Sequence, residues 1–482
     1  LSRYVRRAVV SETAAIVVTL VVYQAVLLAI GVVASRRTAD AGDYFLGGRQ
    51  LGPWVASLSA SASSSSAWTL LGVSGAAYSW GVAAVWIFPA CVGGFALNWY
   101  VLAPRLRRLS AQQDALTVTD LVAGPMEEPG SLLIRRVATA IVLLSLLAYV
   151  ASQFQGAGKT FSETFDLSMP ASVLIGSAIV IAYTMLGGFW AVSVTDMVQG
   201  LVMATAAVAL PWVALTEAGG ASGLVAAIGS VDVEGYASLT RNMATPAAVG
   251  FTLGLLGIGL GYPGQPHVVN RFMAMRDEAA IVTGRRIAIG WAVIIYSGMI
   301  VLGLSARALF GSLPDGEVAF VVATRELFPP IVAGVMLAAV LSAIMSTADS
   351  QLLVAASSVA HDLDPERSDD GATVRKSRLV VLGLSAAAIV AALIGDATIF
   401  DKVLFAWSAM GAAFGPLLLV LVVIGPVRWE YRLAAISLGF FASVLAYWIP
   451  GFRGTAWERV LPFVLAGVAA WRGSGVSTDE PA

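Results

Sequence analysis

Charge is what this sequence most lacks. Asp, Glu, Lys and Arg make up 12% of its 482 residues, about half the roughly 25% of an ordinary soluble domain. That is too little to coat a water-soluble globule of this size. Hydrophobic residues account for 58%, and the mean hydropathy is +0.82. Cysteine is nearly absent. The lone Cys91 excludes an intrachain disulfide and offers no metal-ligand spacing. The two histidines, His267 and His361, are too few for a histidine-rich metal centre. A formal net charge of −1 gives no reason to expect nucleic acid or an acidic partner. Nor does any nucleophile–base pair stand out that would make the chain a membrane enzyme. The expected surroundings are a lipid bilayer, with the cell membrane as the location.

A bilayer core needs about 20 apolar residues in helix. Runs of that kind lie near 13–34, 53–79, 82–103, 132–158, 170–186, 188–216, 245–265, 283–310, 329–360, 377–395, 398–425, 431–449 and 457–471. The first is longer than a signal-peptide core and no small-residue cleavage site clearly follows it, so it reads as a retained span. The expectation is an all-α, multi-pass protein of about thirteen transmembrane helices in one domain. The longest polar connections, 104–131 and 217–244, leave no aqueous domain. Arginine and lysine gather on alternate connections: Arg36, Arg37 and Arg49; Arg105, Arg107, Arg108, Arg135 and Arg136; Arg271, Arg276, Arg285 and Arg286; Arg367, Arg375, Lys376 and Arg378; Arg428 and Arg432. The positive-inside rule puts these connections and the C terminus in the cytoplasm and the N terminus outside. Arg3, Arg6 and Arg7 run against that assignment.

Polar residues stand where lipid should be. The second span carries Ser59, Ser61 and the run Ser63-Ser64-Ser65-Ser66 before Trp68. The ninth carries Ser342, Ser346, Thr347, Asp349 and Ser350. The sixth has Ser193, Thr195 and Asp196, and the seventh has Gly254, Gly257, Gly259 and Gly261 ahead of Tyr262-Pro263-Gly264-Gln265-Pro266. Small residues let membrane helices pack closely, which is one reading of the serine run. The other is a break in the helix, tolerated where it lines a cavity or is buried in protein. A mid-span aspartate costs about 2.5–3.5 kcal/mol on insertion scales. No lysine or arginine inside any expected span offers Asp349 a partner. It is expected either to hold a cation or to lie near the cytoplasmic end in water. Asp196, near the start of its span, has a helix-end role as its alternative. Gln153, mid-helix in the fourth span, either faces a solute or makes a helix–helix hydrogen bond. Sodium is a hard cation that takes oxygen ligands. Adjacent Ser346 and Thr347, facing an interrupted serine-rich helix, are the oxygens such an ion needs. Two interrupted spans four spans apart suggest repeats of opposite topology, over 53–216 and 245–425, with one leading helix (13–34) and two trailing ones (431–471).

At these residues the chain resembles the sodium:solute symporter family. The resemblance is carried by Asp43-Tyr44-Phe45-Leu46-Gly47-Gly48-Arg49 with Leu51-Gly52-Pro53-Trp54, by the tract around Trp68, and by Gly187-Gly188-Phe189-Trp190 with Thr195-Asp196. Gly259-Leu260-Gly261-Tyr262 with Gly264-Gln265-Pro266-His267 and Met345-Ser346-Thr347 with Gln351-Leu352-Leu353 complete it. Within the family the likeness is greatest to bacterial sodium/proline symporters. It implies the fold of the bacterial leucine transporter with an extra leading helix, and Na+ as the coupling ion. It implies a sodium site from the carbonyls of Ala62, Ser65 and Ala343 and the hydroxyls of Ser346 and Thr347. A second cation site, present in some members, would fall on Asp196, Ser346, Asp349 and Ser350, with an aspartate at 349 where a hydroxyl is usual. The solute would sit by Trp68, Tyr262 and Pro266, with Ser64 and Ile258 standing where proline symporters carry aspartate and tryptophan. The expected function is sodium-coupled import of a small organic solute, probable substrates being amino acids such as proline, by alternating access. A proton-coupled symporter and a transporter-fold sensor are the rivals.

Overall fold

The computed structural model describes residues 2–35, 45–185, 188–364, 370–394 and 397–475. Asp43, Tyr44 and Gly187 of the motifs, and Arg36, Arg37 and Arg367 of the basic connections, lie outside the described residues. The described chain is helical, with two isolated β-bridges, Leu51 with Met275 and Val427 with Ser474. Its elements are α1 (Ser2–Ser35), α2 (Pro53–Ala67), α3 (Ser74–Trp80), α4 (Ile87–Ala96), α5 (Ala103–Gln112), α6 (Val118–Ala123) and α7 (Ser131–Phe165). They continue as α8 (Met169–Thr184), α9 (Phe189–Glu217), α10 (Gly220–Ser230), α11 (Thr245–Leu256), α12 (Pro266–Met273), α13 (Glu278–Phe310) and α14 (Ala319–Leu327). The remainder are α15 (Pro330–Ala360), α16 (Asp370–Ile394), α17 (Ile399–Val423), α18 (Trp429–Trp448), α19 (Ala456–Arg459) and α20 (Leu461–Arg472).

Among the described residues, each expected apolar run falls largely on helix. Ten stretches among the described residues are long and apolar enough to cross a bilayer. One of them, Pro53–Gln112, has 60 residues. At about 1.5 Å per residue it is about three times the length of one crossing. It turns at Gly81, where φ is +68° and a side chain would run into the Tyr236 carbonyl, a place only glycine fills without strain. The polar connections also hold short helices, α5 and α6 in one and α10 in the other. The basic connections meet at one end of the molecule. Arg49 donates to Ser110 and to the Met273 carbonyl, Arg107 to the Met275 carbonyl, and Arg108 pairs with Glu278.

Burial sorts the helices. In α15 the most apolar window is 83% buried, against 11% for the α1 window. The central helix carries the hydroxyl-rich stretch, whereas α1 turns Val18, Val21 and Val33 outward, as a lipid-facing helix should. Around α15 pack α1, α2, α7 and α9, and α2 also packs on α9 and α13.

Both expected interruptions are present. In α2 the break is at Ser66, with φ 52° and ψ 179°. Serine competes locally for backbone hydrogen bonds, and the Ser66 hydroxyl accepts from the Trp68 amide at 3.1 Å. Wider π-helical turns over Trp68–Val73 follow before α3. The other break follows α11. Residues Gly257–Gly264 tighten into 3-10 turns, Gln265 is extended, and Pro266 restarts helix as the first residue of α12, where its missing N–H costs nothing. The glycines let this segment lie against α17. A side chain at Gly261 would collide with the Trp407 indole, and one at Gly264 would lie 2.5 Å from the Gly411 carbonyl. Gly261→Ala is therefore expected to destabilise by about 1–3 kcal/mol, the usual result of overpacking. A melting temperature in detergent equal to wild type would show that α17 can move aside.

Candidate functional site

The five residues expected to hold sodium are all fully buried where α2 meets α15. The helices are joined next to the break, where Thr347 donates its hydroxyl to the Ser63 carbonyl at 3.0 Å. Ser346 donates to the Ala343 carbonyl at 3.4 Å, and Ser65 to the Ser61 carbonyl at 2.8 Å. Broken backbone, hydroxyls and burial are thus brought together. The carbonyl that the α15 hydroxyl reaches is Ser63, one residue from the expected Ala62.

The four residues of the expected second cation site correct the sequence reading. Asp196 and Asp349 are fully buried, so an Asp349 lying in water does not fit. Asp196 has a cationic partner inside the protein, a group that no expected span offered Asp349. Arg271, placed in a basic connection by the sequence, lies 1% exposed in α12, with its guanidinium 3.0 Å from the Asp196 carboxylate. The seventh span ends at Gly264, at the expected bound, and Gln265 then leads into a further helix. That helix starts at Pro266 and carries the arginine inside. Ser59 and Ser63 donate to the same Asp196 oxygen at 2.7 and 3.1 Å. Arg271 also donates to the hydroxyls of Ser59 and Ser350 and to the His267 carbonyl. Ser350 donates to Asp349 at 3.3 Å, whose second oxygen has no hydrogen-bond partner.

The expected solute residues gather only in part. Gln153 accepts from the Ala67 amide at 2.9 Å, capping the backbone freed by the break. Trp68 packs against Tyr296, with ring centroids 6.3 Å apart. Tyr296 shares a 2.8 Å hydroxyl hydrogen bond with Tyr262, and Tyr262 sits edge-on to Trp407 at 4.7 Å. Trp407 donates to the Ile258 carbonyl at 3.0 Å and faces Tyr149 at 6.5 Å. Tyr149 in turn donates to the Ser66 hydroxyl at 3.5 Å. An aromatic ring of contacts thus leaves the break at Trp68 and returns to it at Ser66. Pro266 is buried at the start of α12, and Ser64 is buried with its hydroxyl donating to the Ser61 carbonyl.

Tyr149, Tyr296, Trp407, Ser59, Ser63 and Arg271 are the residues that sequence reasoning missed. For Arg271 a signal existed. Pro266 favours a helix start, and eight more residues of helix past the Gly/Pro break include it.

Two hollows flank this centre. At one end a cleft of about 590 Å³ is lined by Trp80, Phe251, Phe400, Arg453 and Trp457, among others. Phe400 packs at a tilt against Trp68 at 5.7 Å and meets Trp80 edge-on at 4.9 Å, so these rings lie between cleft and cage. At the basic end a narrow crevice of about 10 Å³ reaches Phe189, Asn270, Arg271 and Ser350.

A profile of the sodium:solute symporter family matches residues 44–427. The chain belongs to the sodium:solute symporter family. This symporter is 36% identical to the osmoregulated proline transporter OpuE of Bacillus subtilis, over 94% of this chain and 93% of that protein. It is 34% identical to the sodium/proline symporter of Escherichia coli K12, over 89% and 87%. A solved Na+-coupled sialic acid symporter, captured substrate-bound and outward-open with a novel Na+ site, superposes with a TM-score of 0.77 at 18% identity. That match covers 95% of the symporter and 96% of the other chain. Mhp1, a nucleobase-cation-symport-1 family transporter, gives 0.58 at 15% identity, over 89% and 92%. The all-helical, leucine-transporter-type fold expected from sequence is the one found.

A titratable cluster ties α15 to the basic end. His361, just beyond α15, lies 3.2 Å from Asp120 of α6. Asp120 also pairs with Arg135 of α7 at 2.6 Å, and Asp362 accepts from Thr117 at 2.7 Å. Burial alone would lower the histidine, but its hydrogen bond to Asp120 and the charges of Asp120 and Asp362 raise it above its ordinary 6.5. Burial and the Asp120 charge push Asp362 up to about 6. Asp120 is held well below the usual range; burial opposes this, and His361 and Arg135 overcome it. A raised histidine stabilises fully below its unfolded pKa and loses that contribution as pH rises through its folded value. Asp362 acts in the same direction as it ionises. Amide protection over 117–123 and 357–364, taken relative to the intrinsic base-catalysed exchange rate, is thus expected to fall between about pH 5 and pH 8, and to lose most of that pH dependence in His361→Gln. Exchange with the same pH response in both proteins would show that the cluster is not what ties these segments.

Proposed function

We propose that this chain imports proline or a closely related small amino acid together with sodium, by alternating access. The observation that carries the reading is the broken α2 joined to the hydroxyl-rich α15 through Thr347 and the Ser63 carbonyl. Hard oxygen ligands at an unwound helix in a water-excluded place are what an alkali cation requires. The carbonyls of Ala62, Ser65 and Ala343 and the hydroxyls of Ser346 and Thr347 are the proposed ligands. The similarity to proteins named as proline transporters supports the solute class. Trp68 and Tyr262 would pack its apolar ring, with Gln153, Ser64, Ile258 and Pro266 around it.

In this reading 53–216 and 245–425 are the two inverted repeats, 13–34 leads them and 431–471 trails. The basic end faces the cytoplasm with the C terminus, and the N terminus lies outside. The Phe400 cleft is then the outer approach. Sodium bound between α2 and α15 fixes the break and so organises the solute cage. Each ligand shifts the two facing states only through its differential affinity, and the coupling is reciprocal.

The test is uptake of radiolabelled proline and a panel of amino and carboxylic acids into proteoliposomes under an inward sodium gradient. Proline uptake that needs sodium is the expected result. Uptake driven equally by a pH gradient in sodium-free buffer would overturn sodium coupling and favour a proton. Ser346→Ala with Thr347→Ala should raise the sodium concentration for half-activation about tenfold or more, since each 1.4 kcal/mol of lost binding is a factor of ten. Unchanged sodium activation in that variant would remove these hydroxyls from the site.

A further inference from the structure

The two residues that follow α15 fold back against the protein. The His361 ring lies against Phe45, with centroids 5.6 Å apart, and the Asp362 amide donates to the Ser357 carbonyl. Their side chains meet Asp120 of α6 at the basic end. A ring nitrogen of His361 and one carboxylate oxygen from each of Asp120 and Asp362 lie within 4.8 Å of one another. His361 Nε2 and Asp120 Oδ2 are 3.2 Å apart. Asp362 is 3% exposed. Its Oδ1 accepts from the Thr117 hydroxyl, whereas its Oδ2 is buried with no hydrogen-bond partner. Buried carboxylate oxygens normally find a partner, so this one is a ligand atom in waiting.

We propose that Asp120, His361 and Asp362 form a site for a divalent transition-metal ion of the Zn2+ class, separate from the sodium and solute sites. One imidazole nitrogen and two carboxylate oxygens are a donor set that Zn2+ takes, at about 2.0–2.2 Å, with a fourth position left for water. At those bond lengths tetrahedral ligands stand about 3.3–3.5 Å apart, and the His361–Asp120 pair is already close to that spacing. Calcium and magnesium take shells of six or more oxygens, which an imidazole does not suit. The surroundings hold the ligands from behind. Arg135 takes the other Asp120 oxygen at 2.6 Å, and the Leu116 and Thr117 amides hold Oδ2 at 3.0 and 3.1 Å. Thr117 thus orients both carboxylates, one through its amide and the other through its hydroxyl, as outer partners of metal ligands do. Arg135 balances one of the two carboxylates, and the metal ion would balance the other. Bound there, the ion would fasten the end of α15, the helix of Ser346 and Thr347, to α6 and α7. The site does not depend on which ion or solute the chain carries.

The experiment uses the full chain in detergent, with any affinity tag removed and metals stripped by a chelator. Zn2+ is titrated in competition with a chromophoric chelator, and Co2+ is added separately as a spectroscopic substitute. The other histidine and the lone cysteine, His267 and Cys91, are fully buried, so background ligation is small. One Zn2+ per chain is expected, undisturbed by excess Mg2+, with binding weakened about tenfold or more in His361→Gln and in Asp362→Asn. The Co2+ protein should show the strong visible bands of a four- or five-coordinate ion. Absence of Zn2+ binding, equal binding in wild type and both variants, or displacement by Mg2+ would each overturn the site. Should a substitution unfold the chain, the wild-type Co2+ spectrum still decides, since the weak bands of a six-coordinate, all-oxygen ion would also overturn it.

Discussion

The architecture depends on a helix that is broken inside the protein and yet leaves little backbone unsatisfied. In a hydrocarbon environment an unpaired N–H or C=O costs several kcal/mol. An interruption therefore persists only where other side chains complete it. At Ser66 they come from three directions. Gln153 of α7 accepts from the Ala67 amide, the Ser66 hydroxyl accepts from the Trp68 amide, and Thr347 of α15 donates to the Ser63 carbonyl. The last of these bonds fastens the broken helix to the most buried one. Any group that competes for that carbonyl, a bound ion included, acts directly on how α2 and α15 sit together.

The second buried polar centre obeys a different constraint. A charge removed from water needs a counter-charge and hydrogen bonds to persist. Asp196 and Arg271 supply both, with serines from α2 and α15 filling the remaining positions. The broken helix thus meets an oxygen-rich carbonyl site on one part of α15 and an ion pair about one turn further along. Two polar centres in contact with the same two helices give coupling a short physical path.

Each end of the bundle is closed by charges that bridge elements. At the basic end Asp120 joins α6, α7 and the residue after α15. At the other end Lys159 of α7 pairs with Asp315 and Glu317. Glu317 also accepts from the amides of Ile399 and Phe400 at the start of α17, where a carboxylate complements the helix dipole. Phe400 is thereby fixed over Trp68, between the cleft and the aromatic cage. The long α7 carries a charged residue into both closures, so its position is felt at both ends.

Composition and periodicity determined the class of protein and where its helices run, because lipid imposes length and apolarity on each segment independently of its neighbours. The serine run at 63–66 and the glycine–proline stretch at 257–266 likewise declared the breaks locally, since backbone preference is a property of the residues themselves. Ser346 and Thr347 were legible for the same reason, as hydroxyls that lipid would not tolerate. Partnership was not legible. Arg271 looked like a loop residue until the chain restarted helix at Pro266 and turned inward to Asp196, 75 residues away in sequence. Nothing local marked Tyr149, Tyr296 and Trp407, which packing joins to Trp68 and Tyr262. Those pairings depend on the relative placement of helices far apart in the chain, which no local pattern encodes and only the tertiary structure decides.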